Sequence, residues 1–315
     1  MDKIIQDIEF GFLRAQFSKD NRFQYSGIDS FMYQGDELVH YTNLLGLQGI
    51  IESQGFWLSD HRFLNDAEEY NNGKKLVINL IEKLILKKRY IRFKKVLEGT
   101  LNYLKQDRES PFYICSFSTK IDSLDQWKGY ANNNDGVAII FNNKMKKMFN
   151  HFNVLPIFTA SKVIYRDTIK YKILLKSIQM YFKEFLIDEI KNPKIINLED
   201  WSKELFETLS REFINFKNSE FESEGEVRLV VSNTQLSRED TFNLEHRISN
   251  NRIIPYINIS EFYKEIFQKN KLPIKKIIIA PTANADITYE SIKVYLKNIG
   301  YDDVTVEKSK VPYRG

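Results

Sequence analysis

Two long helical stretches, at about residues 66–105 and 168–217, interrupt a series of short apolar strands, and this interruption constrains the fold more than any other feature of the chain. In the first stretch Leu76, Ile78, Leu80, Ile81, Leu84 and Ile85 recur as on a helix; the second is rich in Lys, Ile, Leu and Phe and contains Pro193 at an expected break. Strands are expected at 38–41, 56–58, 112–117, 136–141, 163–165, 227–231, 253–257, 277–279 and 304–306. Shorter helices are expected at 44–55, 123–131, 260–268 and 286–298, and an N-terminal packing helix within 1–30 on Ile4, Ile5, Ile8, Phe12 and Leu13. The alternation is too irregular for a doubly wound parallel sheet, so the expected class is α+β. With no Gly-rich linker and no fixed-period repeat, the reading is one domain over 1–315 whose sheet carries two helical insertions.

Composition removes several classes of function. A 43% hydrophobic content is enough to build a core, and 46 Lys plus Arg against 42 Asp plus Glu leaves a net charge of only +4, so any basic surface must be local. The single cysteine, Cys115, excludes an internal disulfide and a Cys-rich zinc module, and four scattered histidines give no metal-ligand spacing; no metal is expected. Acidic residues among the first apolar ones break any signal-peptide pattern, and no apolar run reaches the roughly 18 residues of a membrane span. The expectation is a cytoplasmic protein with no membrane partner.

No phosphate-loop, dinucleotide, zinc-protease or nucleophile-elbow motif occurs. What remains is a set of polar residues at strand ends. Glu222, Glu224, Glu226 and Arg228 recur at period two; if the strand begins by residue 224, then Glu224, Glu226 and Arg228 share one face. One reading is a solvated strand edge with Arg228 paired to a glutamate. The other is a carboxylate placed to stabilise a developing cation, as glycosidic cleavage requires. His40 in an apolar strand reads as a hydrogen-bonded core residue or a ligand contact, and Ser116 and Ser118 share one face of theirs. Trp127 and Tyr130 are adjacent on a short helix, either as core or as a platform for a planar ring.

The strongest charge feature is Lys83, Lys87, Lys88, Arg89, Arg92, Lys94 and Lys95, with Tyr90 and Phe93 interleaved. A solvated helix with snorkelling stems explains it. Phosphate contact with RNA or DNA, with bases stacked on the aromatics, is the alternative.

The motifs form an ordered series: His40-Tyr41-Thr42, Phe56-Trp57-Leu58-Ser59, Phe63-x-Asn65-Asp66-x-Glu68, Cys115-Ser116-Phe117-Ser118, Trp127-x-x-Tyr130-Ala131, Gly136-Val137-Ala138-Ile139, Glu224-x-Glu226-x-Arg228 and Ser309-x-x-Pro312-Tyr313-Arg314. Over residues 37–314 this series resembles a bacterial family known only as domain of unknown function twenty-nine seventy-one. That family is similar to a distant branch of the ADP-ribosyltransferase superfamily, whose split mixed or antiparallel sheet holds NAD.

The resemblance implies NAD as substrate, with His40, Tyr41 and Thr42 on its ribose side and Ser116 and Ser118 as the serine-containing middle motif. It places Trp127 or Tyr130 against nicotinamide and Arg228 in the cofactor cleft. Glu226 takes the place of the catalytic glutamate and Glu224 that of the residue guiding the acceptor. Asn65, Asp66 and Glu68 have no counterpart there and either cap a helix or bind substrate. The implied activity is transfer of ADP-ribose to a macromolecule by a toxin or phage-defence effector, with an antitoxin or chaperone as partner. Lys87, Lys88 and Arg89 tilt the acceptor toward nucleic acid. NAD hydrolysis and a non-catalytic binding module are the alternatives.

Overall fold

The computed structural model describes residues 37–64, 67–106, 112–130, 135–145, 148–149, 158–191, 196–232, 243–249, 251–260, 271–282 and 284–312, together with Tyr33 and Gly35. The expected helix within 1–30 and most of that at 260–268 lie outside these residues. In chain order the described helices are α1 (Leu44–Ser53), α2 (Ala67–Ile85), α3 (Lys94–Lys105), α4 (Leu124–Tyr130), α5 (Asp167–Lys191), α6 (Leu198–Phe213) and α7 (Ala285–Asn298). None of the described helices is long and apolar enough to cross a membrane. The chain divides into two compact units: 66–110 with 164–219 is helical, and 32–65, 111–163 and 220–315 hold the sheet. Both helical stretches read from the sequence therefore contribute to one unit.

The sheet is open and mixed. Its strands are β1 (Leu38–Asn43), β2 (Trp57–Asp60), β3 (Phe112–Ser118), β4 (Gly136–Phe141), β5 (Phe158–Lys162), β6 (Glu226–Ser232), β7 (Leu244–Ser249), β8 (Arg252–Asn258), β9 (Ile274–Ile279) and β10 (Thr305–Lys308). They run in the order β10-β9-β4-β1-β3-β2-β8-β7, with β6 on β3 and β5 on β6. Among the described strands β9 and β10 alone pair in parallel; the other described strand pairs are antiparallel. The strand expected at 163–165 lies earlier, at β5, and Ile164 makes an isolated bridge to Phe216 instead.

Strand alternation sorts the side chains into two faces. Tyr113, Cys115 and Phe117 of β3 and Val227, Leu229 and Val231 of β6 enter the main core, with Leu47, Ile50 and Ile51 of α1 and Ile292 and Leu296 of α7. Their neighbours in sequence, Ser116, Ser118, Glu226 and Arg228, are thereby placed on the opposite face. That face has a smaller cluster, Val39, Tyr41, Trp127, Ala138, Ile140, Ile278 and Ala280.

The sheet forks at β3. One edge of β3 pairs with β6 along its whole length, from Phe112 opposite Ser232 to Ser118 opposite Glu226. On the other edge β2 pairs only with Tyr113 and Ile114, and β1 only with Ser118. Among the described residues no strand pairs with 115–117 on that edge, so β1 and β2 diverge and leave a wedge between them.

In the helical unit, α3 lies against α6 through Thr100, whose hydroxyl reaches the Ser202 carbonyl at 3.1 Å, and through Ser202, whose hydroxyl reaches the Val96 carbonyl at 3.2 Å. Gly99 permits this approach, because a Cβ there would stand 2.3 Å from Ser202 Oγ. The helix expected to run from 67 to about 105 is broken at 86–93. A single 3-10 turn, Lys88–Tyr90, makes the corner between α2 and α3. Tyr90 and Phe93 are fully buried there, with ring centroids 5.0 and 5.6 Å from Phe182 of α5.

Candidate functional site

Glu226 opens β6, and Gly225 decides where the strand begins. Its φ of 54° lies in the left-handed region, and a Cβ on it would meet Thr119 Oγ1 at 2.5 Å, so only glycine serves there without strain. Residues Ser219–Glu224 form 3-10 turns instead of continuing the strand. The period-two array expected from Glu222 to Arg228 therefore breaks: Glu222 is exposed, Glu224 is half-buried on the turn, and only Glu226 and Arg228 share the strand face.

Those two side chains are buried, at 6% and 4% exposure, and locked together. Arg228 Nε donates to Glu226 Oε1 at 2.7 Å and Nη2 to Oε2 at 3.1 Å. Ser116 Oγ, from the neighbouring strand, donates to Glu226 Oε1 at 2.7 Å. The pairing of Arg228 with a glutamate is thus present, but on an inner strand and buried, not at a solvated edge. A bidentate guanidinium and a hydroxyl on one carboxylate fix its orientation. Ser116 is only half-buried, so the cluster reaches solvent through it.

Ser118 faces the same side yet serves another purpose. Its hydroxyl donates to the Glu224 carbonyl at 2.6 Å and accepts from Lys120 N at 2.9 Å, tying the turn before β6 to the end of β3. Tyr41 acts nearby: its hydroxyl donates to the Lys120 carbonyl at 2.8 Å and accepts from Ser123 N at 3.0 Å. Burial, as the main cause, pushes this phenol up to about 12, so it stays neutral. Thr42 is half-buried, and its neighbour Asn43 caps α1 by accepting from Gly46 N at 2.8 Å.

His40 lies in the wedge but on the main-core side of the sheet, its ring 5.6 Å from that of Phe117. Its Nδ1 sits 2.8 Å from the Ser116 carbonyl oxygen, which β1 does not reach with its own backbone. Since a carbonyl only accepts, Nδ1 carries the proton. Burial, opposed by this hydrogen bond and helped by the field of Arg247, holds the His40 pKa below its ordinary value. A neutral imidazole thus replaces a missing ladder bond at the serine that holds Glu226.

Trp127 is not placed to stack on a ligand. It has no exposed surface, donates its indole N–H to Asp122 Oδ1 at 2.8 Å and packs edge-on against Tyr41 at 4.9 Å. The side chain of Tyr130 lies outside the described residues, as do Asn65, Asp66, the side chain of Glu68, Tyr313 and Arg314. Lys87, Lys88 and Arg89 belong to the helical unit, on the corner between α2 and α3. With Tyr90 and Phe93 buried beneath that corner, the aromatics interleaved with the cations offer no stacking surface.

The sequence reading passed over three residues that the fold brings to this region. Arg247 on β7 donates from Nη2 to Ser59 Oγ at 2.9 Å, and strand parity puts it on the same face as Glu226. Its strand, Leu-Glu-His-Arg-Ile-Ser, is too polar to signal a strand by composition. At the end of β2, Asp60 accepts from both Nε and Nη2 of Arg62, at 3.0 and 2.6 Å. Asp122, in a left-handed conformation at φ 52°, accepts from Trp127, from Ser309 Oγ at 2.5 Å and from Lys310 N at 2.9 Å, which pins the C-terminal segment to the loop after β3. Among the described residues no three His, Cys, Asp or Glu side chains gather as a metal site.

Residues 126–229 match a family model described as Protein of unknown function (DUF2971), the family that the motif series resembles. The matched segment includes Trp127, Glu226 and Arg228 and stops short of His40 and Ser116. Neither the curated proteins nor the solved structures give a match to the chain.

Proposed function

We propose that this DUF2971 chain carries an NAD-cleaving site centred on Glu226 and transfers ADP-ribose to a macromolecule. The observation that carries this reading is the buried carboxylate held by Arg228 and Ser116 on the polar face of the sheet, one strand away from the wedge between β1 and β2. A sheet that forks beside such a carboxylate is in keeping with an ADP-ribosyltransferase-like fold.

The chemistry needs a fixed negative charge. When the bond between ribose C1′ and the nicotinamide nitrogen breaks, the electron pair leaves with the ring, which becomes neutral, and the sugar is left as an oxocarbenium-like cation. Glu226 stabilises that charge electrostatically, at little reorganisation cost because Arg228 and Ser116 already hold both oxygens. The acceptor then bonds to C1′ through its lone pair and gives up its proton to water. His40 is a positioning residue: from the other face of the sheet its Nδ1 donates to the Ser116 carbonyl and so steadies the strand position whose hydroxyl holds Glu226.

The nucleic-acid preference read from Lys87, Lys88 and Arg89 loses its aromatic part, because Tyr90 and Phe93 are buried, so the acceptor class rests on the labelling experiment. The closed pairing of Glu226 with Arg228 favours a second reading, a partner-binding module in which the pair only secures β6.

Purified protein incubated with labelled NAD and cell lysate separates these readings. Label entering the nucleic-acid or protein fraction, and lost in Glu226→Gln, supports transfer and names the acceptor class. Nicotinamide release without a labelled macromolecule identifies an NAD hydrolase. No NAD turnover supports the binding module.

A further inference from the structure

The corner between α2 and α3 exposes aliphatic side chains in a segment rich in cations. Leu84, Tyr90 and Phe93 point inward with no exposed surface, and the rings of Tyr90 and Phe93 are held by Phe182 and Phe185 of α5. Backbone hydrogen bonds from Lys87 N to the Leu84 carbonyl and from Tyr90 N to the Lys87 carbonyl, both 3.0 Å, close the turn. This rigid anchoring leaves Leu86 84% and Ile91 68% exposed, aliphatic side chains that water alone does not favour.

Along the segment that forms the corner the charges have one sign. No Asp or Glu lies between Lys83 and Leu97, and seven of those residues are Lys or Arg. Lys88 and Arg89 are exposed beside Leu86 and Ile91. Arg92 pairs with Glu189 at the end of α5, which brings that helix end to the corner, and the next residue, Ile190, is 73% exposed.

We propose that this corner docks on an anionic lipid surface, with Leu86 and Ile91 entering the headgroup boundary and Lys88 and Arg89 meeting the phosphates. A bilayer offers anionic headgroups and apolar matter within a few ångströms of each other, which is the pattern of this corner. A nucleic acid would satisfy the cations but would leave Leu86 and Ile91 in water, and the buried Tyr90 and Phe93 cannot stack its bases. The contact is peripheral and differs from the expectation of no membrane partner, which the flotation test below addresses. It does not depend on the NAD reading, because it involves only the helical unit.

The test is flotation of the full chain with vesicles of phosphatidylcholine alone or mixed with phosphatidylglycerol. The protein floats with the mixed vesicles, less so as salt rises, and not with phosphatidylcholine alone. Leu86→Gln with Ile91→Gln, and separately Lys88→Glu with Arg89→Glu, each weaken binding at least about tenfold. Both pairs replace exposed side chains and keep the wild-type melting temperature. No flotation with either vesicle overturns the proposal, as does flotation that survives Leu86→Gln with Ile91→Gln. Binding of a single-stranded RNA probe that is lost only in the charge-reversed pair also overturns it, because the corner would then be a nucleic-acid contact.

Discussion

Arg228 holds both oxygens of the Glu226 carboxylate, although the two residues stand two positions apart on the same strand. The geometry follows from strand alternation, which puts residues 226 and 228 on one face, and from Gly225, which starts the strand at the glutamate. Both groups are buried, so each needs the other.

Removing one partner should therefore cost more than neutralising the other. Arg228→Ala takes the bidentate guanidinium away from a buried carboxylate and should destabilise the protein by about 3–5 kcal/mol. Glu226→Gln keeps an oxygen acceptor for Arg228 and a similar shape, and should cost clearly less. Urea unfolding of the two variants checks the order; a negligible loss in Arg228→Ala would contradict a coupled pair.

Ser116→Ala removes one charge-assisted hydrogen bond to Glu226 and leaves the strand pairing intact. A loss of about 1.5–3 kcal/mol is expected in the same urea titration. A neutral result would mean that the carboxylate does not depend on the hydroxyl.

The buried neutral His40 makes stability depend on pH in a definite direction. Its folded pKa lies below the ordinary 6.5, so between those two values the unfolded chain binds a proton that the folded chain does not. Stability is thus full above about 6.5 and falls as pH drops through the window, by about 1.4 kcal/mol per pH unit for one such proton. His61, also shifted down mainly by burial, adds to the slope with the same sign. His40→Asn, whose side-chain amide can still donate to the Ser116 carbonyl, should give a shallower slope, measured as denaturation midpoints from pH 7 to pH 5. An unchanged slope would contradict a buried neutral His40.

Asp122 combines a left-handed backbone with hydrogen bonds to Trp127, Ser309 and Lys310. Asp122→Gly relieves the backbone but releases all three partners. Hydrogen exchange should quicken at Val311 and Lys310, while the backbone amides of β4 stay protected. Uniform exchange across both segments would contradict a local pin.

Much of the site was legible in the sequence. Ser116, Glu226 and Arg228 stood out because strand periodicity and residue type agreed, and the fold joins their side chains on one face, while His40 meets only the Ser116 carbonyl from the other. What escaped the sequence depended on nonlocal facts. The start of β6 is set by the contact of Gly225 with Thr119, which no periodicity reports. For Trp127 the sequence left core and platform both open, with core the default, because adjacency on a helix does not say which side is covered; the Asp122 hydrogen bond and the Tyr41 ring decide for the core. Arg247 was missed because β7 owes its strand form to pairing with β8, not to its own polar residues. The 67–105 helix breaks where Tyr90 and Phe93 turn inward to α5, a packing choice that helical periodicity alone does not reveal.

Release of nicotinamide from NAD by the purified protein, compared with Glu226→Gln, tests the central claim most directly. The account predicts measurable release by the native chain and a loss of at least about a hundredfold in the variant, with its fold retained. Equal release by both proteins, or none by either, would contradict a catalytic role for Glu226.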